Sequence, residues 1–114
     1  MDIKKELTKG SSAMLVLSAL EKEDLYGYMI IKKIAAQSDN VFSFKEGTLY
    51  PILHNFEQNG LVKSYWTECD GRKRKYYQIT KKGLKNLADT KQEWEAYTVA
   101  VNKVLNATPS AALV

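Results

Sequence analysis

Between positions 43 and 79 the chain passes from helix-like to strand-like with one glycine between, and that junction limits the folds open to it. Leu49, Ile52, Leu53 and Phe56 recur at i, i+3, i+4 and i+7, a complete apolar face for a helix over residues 43–59. Ser43 and Glu46 have the spacing of a capping box, and Gly60 supplies the stop. Pro51 lies inside and cannot donate to the Gly47 carbonyl, so one helix with slightly distorted first turns is expected. Residues 61–68 and 74–79 follow as strand-like runs, rich in aromatic and β-branched side chains. Cys69-Asp70-Gly71-Arg72 is the turn between them.

Upstream, residues 2–22 read as helix, with Ile3, Leu7 and Met14 at helical spacing and Gly10-Ser11-Ser12 as a bend. The apolar run AMLVLSAL in its second half is suited to a core. Asp24 can cap a second helix over residues 26–38, whose inward stripe is Gly27, Ile30, Ile31 and Ile34. Downstream, Thr80 can cap a last helix over residues 81–106, about 39 Å long. Its apolar stripe is Leu84, Leu87, Trp94, Val101 and Leu105, interrupted by Lys91 and Thr98.

The net charge of +4 is concentrated. Residues 71–82, GRKRKYYQITKK, hold six cations and no acid, including both arginines of the chain. Setting those six aside leaves 11 of the 17 basic residues against 13 acidic ones. A one-sign cluster beside tyrosines points to an anion, with nucleic acid foremost; a solubilising hairpin tip is the plainer alternative. Several classes fall away. One cysteine and one histidine do not make a metal cage, and no nucleophile–base pair or phosphate loop suggests an enzyme or a cofactor. No apolar run spans a membrane, and MDIKKELTKG lacks the apolar core of a signal peptide, so a cytoplasmic address is expected.

Three helices followed by a basic hairpin is the order of a winged helix-turn-helix: mainly α with a small β-hairpin. The third helix would enter the major groove while the hairpin holds phosphates beside it. Its outward face offers Lys45, Glu46, Thr48, Tyr50, Pro51, His54 and Asn55. The last helix outruns so small a domain, and a second copy is the simplest partner for its stripe. The expected layout is a winged domain over residues 1–80, a dimerisation helix over 81–106 and a flexible tail over 107–114. Such a dimer spaces its reading helices by about one DNA turn.

Three stretches carry a family resemblance: YGYMIIKKI (residues 26–34), EGTLYPILHNFEQNGLV (46–62) and GRKRKYYQITKKG (71–83). Together they resemble the PadR family of transcriptional regulators, in its branch with a single C-terminal helix, which includes multidrug-sensing repressors. The resemblance implies a double-stranded DNA operator as partner. It places Thr48, Tyr50 and Pro51 at the DNA-facing start of the recognition helix, with His54 as a base reader at a variable position. Arg72, Lys73, Arg74 and Lys75 become wing cations on phosphates, followed by Tyr76 and Tyr77, one inward and one toward DNA. Tyr26 and Tyr28 become a backbone-contacting aromatic pair. Trp94 matches the tryptophan on which flat aromatic drugs stack between subunits, with Lys91 and Thr98 on its face and Leu7 and Met14 completing the cavity.

The reading that follows is a dimeric repressor released by a small planar aromatic or phenolic ligand. An alternative is a winged-helix protein-interaction module without an effector. For single residues, Trp94 as a plain dimer anchor competes with ligand binding. Trp66 is expected in the core. Cys69, near the wing turn and its cations, is expected to be inert rather than redox-active.

Overall fold

The computed structural model describes residues 5–109. Ile3 and residues 110–114 of the expected tail lie outside the described residues. α1 (Lys5–Lys9) and α2 (Ser12–Ala19) are separated at Gly10-Ser11, where the hydroxyls of Ser11 and Ser12 both donate to the Thr8 carbonyl, at 3.2 and 2.8 Å. α3 (Gly27–Gln37) ends in two left-handed residues, Asp39 and Asn40, at φ of 52° and 64°. α4 (Glu46–Gln58) runs unbroken through Pro51, and Gly60, at φ 72°, turns the chain out of it.

The hairpin is β2 (Val62–Cys69) and β3 (Arg72–Ile79), in register from Val62 opposite Ile79 to Cys69 opposite Arg72. Asp70 and Gly71 close it with positive φ at both positions, the two-residue turn whose twist suits a hairpin. A short strand the sequence analysis did not anticipate, β1 (Leu25–Tyr26), pairs antiparallel with the other edge of β3, giving the order β1-β3-β2. α5 (Lys81–Leu105) starts at the expected cap, where Thr80 Oγ1 accepts from Gly83 N at 3.0 Å. Gly83 is needed there, since a Cβ would run into the Leu61 carbonyl.

The core gathers Val16, Leu17 and Leu20 from the second helix and its end, Ile30 and Ile34 of α3, and the α4 face of Leu49, Leu53 and Phe56. Val62 and Tyr77 close it from the sheet and Leu87 from α5.

Two caps differ from expectation. Asp24 does not cap α3; Tyr26 holds that position without a side-chain bond. Strand pairing at Leu25–Tyr26 turns Asp24 to the sheet, where one carboxylate oxygen accepts from Tyr65 Oη at 2.6 Å and Gln78 Nε2 at 3.1 Å. The Ser43–Glu46 capping box does not form either, because α4 begins at Glu46 behind an extended Lys45. Burial of Phe44 in the core fixes that approach and leaves Ser43 outside the first turn.

Candidate nucleic-acid interface

α4 buries Leu49, Leu53 and Phe56 and so must present the opposite face to solvent. Lys45, Thr48, Tyr50, Pro51 and His54 are all exposed there, with Asn55. Tyr50 is additionally steered: its ring lies across the start of α3, where a Cβ on Gly27 would come within 2.5 Å of the phenol oxygen. A side chain at position 27 would push the phenol end of Tyr50 out of this place.

Strand alternation sorts the hairpin's side chains. Tyr77 points inward and is buried, while Tyr76 joins an aromatic row on the opposite face. In that row Tyr65 stacks on Tyr76 at 5.8 Å, Tyr76 meets Tyr26 edge-on at 5.5 Å, and Tyr26 stacks with Tyr28 at 6.5 Å. The Arg74 guanidinium lies over the Tyr26 ring, 4.4 Å from its centre. Its Nε is buried and has no hydrogen-bond partner among the described residues. Donation to Asp24 holds the Tyr65 phenol above its ordinary titration range, and burial pushes Tyr77 up as well.

The four wing cations are not alike. Arg72 and Lys73 are exposed and make no salt bridge among the described residues. Arg74 is held by Tyr26. Lys75 Nζ lies 3.4 Å from Glu57 Oε1 of α4, and Glu57 Oε2 accepts from Ser64 Oγ at 2.9 Å. Glu57 thus braces both strands of the hairpin against α4, a role the sequence analysis missed. Its single signal was the acid's place on the last turn of a helix that leads into a basic hairpin.

Residues 16–89 match the Transcriptional regulator PadR-like family. The chain belongs to that family. A solved transcriptional regulator from Clostridium thermocellum is 36% identical, with a TM-score of 0.80 over 87% of this chain and 97% of its own. A PadR family transcription regulator from Clostridium difficile is 38% identical, with a TM-score of 0.75 over 85% of this chain and all of its own. Transcriptional regulator Rv3488 of Mycobacterium tuberculosis is 26% identical across 80% of this chain and 82% of its own. The protein is therefore a PadR-family, DNA-binding transcriptional regulator with a winged helix-turn-helix, and not an enzyme. Among the described residues no group of three His, Cys, Asp or Glu could hold a metal, and no helix is long and apolar enough to cross a membrane.

Within this PadR-like fold the expected seam and ligand residues are spread out. Leu87 is 1% exposed and sits in the chain's own core, so it is not available to a partner. Leu84 and Leu105 are exposed and Val101 half-buried. Trp94, 42% exposed, stacks at 6.1 Å on Tyr97, which is 64% exposed. Tyr97 was missed, although its i+3 spacing from Trp94 on a helix was a usable signal. Lys91 Nζ is engaged by Glu21 at 3.0 Å, and Thr98 Oγ1 donates to the Glu95 carbonyl at 3.1 Å. Leu7 is exposed, whereas Met14 lines a small cleft between α2 and α5 with Leu17, Phe56, Asn86, Leu87 and Thr90. Cys69 is a free, half-buried thiol at the end of β2.

A further expectation is overturned. Trp66 is not in the core: it is 66% exposed. It shares a strand face with Val62, but the hairpin extends past the helices that would have covered it.

Proposed function

We propose that this regulator acts as a twofold dimer joined through α5, that it represses, and that a small planar aromatic or phenolic ligand bound between the α5 helices releases it from its operator. The observation that carries the reading is the far part of α5. The helix is 25 residues, about 37 Å, yet its buried positions are only Gly83 and Leu87. Beyond them Trp94, Tyr97, Val99, Val104 and Leu105 stay exposed. A stacked Trp94–Tyr97 pair left open to solvent has the flat, polarisable surface that a planar ligand needs. The exposed residues of α4, Arg72 and Lys73 of the wing, and Arg74 on its tyrosine platform supply the operator contacts in this scheme, with Tyr28 beside them. The hold of Glu21 on Lys91 narrows the ligand set to Trp94 and Tyr97, with Thr98 a turn away.

Sedimentation at micromolar protein tests the dimer, and footprinting on the region upstream of its own gene tests operator binding and half-site spacing. Titration of planar aromatic cations and phenolics into a Trp66→Phe variant reads Trp94 alone. Quenching together with loss of the footprint is the expected result. A monomer that ignores duplex DNA contradicts the whole proposal, and a footprint untouched across the ligand panel contradicts release.

A further inference from the structure

Trp66 is the largest apolar side chain that the domain leaves open outside α5. The exposed tyrosines of the winged domain each pack on a neighbour within the chain: Tyr65 and Tyr28 by stacking and Tyr50 against Gly27. Trp66 has no aromatic or cationic partner among the described residues. Its place in the strand is defined by register. Val62, Ser64 and Trp66 share one face of β2. Val62 is buried in the core and Ser64 is bonded to Glu57 of α4, so this is the face turned to that helix. Trp66 stands about 7 Å further toward the hairpin tip, beyond that brace. Lys75 is directly across from it, and Lys73, opposite Glu68, is the next pair on the same face.

Folding leaves this indole unused, and the surface around it is selective. Residues 62–79 carry five cations against two acids, Glu68 and Asp70. An apolar plate on such a hairpin suits a polyanion that also offers apolar surface. Duplex DNA does so, because deoxyribose rings line the walls of its grooves between the phosphates. Acidic protein segments offer the charge without that regular apolar strip.

We infer that Trp66 is a DNA-contacting residue of the wing, its indole packing on the sugars at the groove edge while Lys73 engages the adjoining phosphate. The inference rests on the DNA-binding reading of the wing and adds to it a positioning contact on the DNA backbone. A side chain that packs without neutralising a phosphate contributes affinity that does not depend on salt.

The test uses the full chain labelled with 5-fluorotryptophan. Its two tryptophans give two fluorine resonances, assigned with Trp66→Phe. A duplex selected by the protein from a randomised pool is added, and binding is followed in parallel by the anisotropy of a dye on the duplex. The Trp66 resonance is expected to shift and to lose its solvent-isotope effect as the anisotropy rises. Trp66→Ala is expected to bind about tenfold more weakly, toward the low end of the loss seen when an aromatic stacked on a base is removed, with an unchanged salt slope. Trp66→Phe should keep most of the affinity. Anisotropy that rises while the Trp66 resonance stays put and solvent-exposed overturns the inference and leaves the DNA-binding reading intact. So does a Trp66 resonance already shielded in the free protein, which means that a second copy covers it. A Trp66→Ala variant that loses slope along with affinity has lost the wing's shape rather than a contact, and this too overturns it. A pool that yields no bound duplex removes the DNA-binding reading itself.

Discussion

Removing wing cations one by one should not give equal effects. Arg72 is exposed and without a salt bridge among the described residues, so its guanidinium is free to displace a counterion from a phosphate. Such a contact contributes about 0.9 to the slope of log affinity against log salt, or about 1.8 for a dimer seating both wings. Between roughly 50 and 200 mM salt, Arg72→Ala should therefore cut the fall in affinity of the proposed dimer by about 12-fold relative to the unmodified protein. Lys75 is different. Its ammonium lies 3.4 Å from Glu57 Oε1 on a carboxylate that also holds Ser64, and the pair is locally neutral. Replacing both partners, Lys75→Gln with Glu57→Gln, removes no net charge and should leave the slope unchanged. A partly exposed pair of this kind contributes at most about 1 kcal/mol to stability, so the fold should survive. Anisotropy of a labelled operator across a salt series measures the slopes, and circular dichroism melts confirm folding. If the double variant loses as much slope as Arg72→Ala, Lys75 leaves Glu57 for a phosphate on binding and the brace is not maintained.

Leu87→Ala should destabilise the fold by about 2–5 kcal/mol in urea titrations, since it empties a fully buried site, whereas Leu105→Ala should leave the monomer's stability unaffected and weaken self-association in sedimentation. Thr80→Ala should cost about 1 kcal/mol, because one hydroxyl caps α5 through Gly83 N and also donates to the Gly60 carbonyl at 2.7 Å; an unchanged urea midpoint would refute that account. Alkaline pH should also destabilise. The phenols of Tyr65 and Tyr77 titrate above their ordinary value of 10.0 in the folded chain, so the native state keeps protons that the unfolded chain releases. Their contribution is intact below pH 10 and is lost as pH rises through the folded values; Tyr65→Phe should show a shallower decline of the urea midpoint there, and an equally steep one would discount the Asp24 bond as the cause.

Much of the fold was legible because local signals agreed with their surroundings. The α4 apolar face became the buried face, Asp70-Gly71 became the turn, and Thr80 became the cap. The two failed caps show where such signals stop. Asp24 and Ser43 each had the right chemistry at the right spacing, but neighbouring residues were committed to pairing or burial, and a side-chain cap of about 1 kcal/mol does not override those. β1 is two residues long, too short to show any period. At the candidate site the sequence correctly singled out an exposed α4 face and a basic hairpin, but it treated the wing cations as equivalent.

From the sequence alone came the order of elements apart from β1, the family and the concentration of charge, because periodicity, turn chemistry and motif spacing are written along the chain. Tertiary structure decided how each of these residues is used. Glu57 holds Lys75, Tyr26 holds Arg74, Leu87 turns into the core, and Trp66 is left uncovered. Each outcome depends on contacts between elements distant in sequence. Periodicity says which face of a helix or strand a residue occupies, but not how far the neighbouring element extends to cover it.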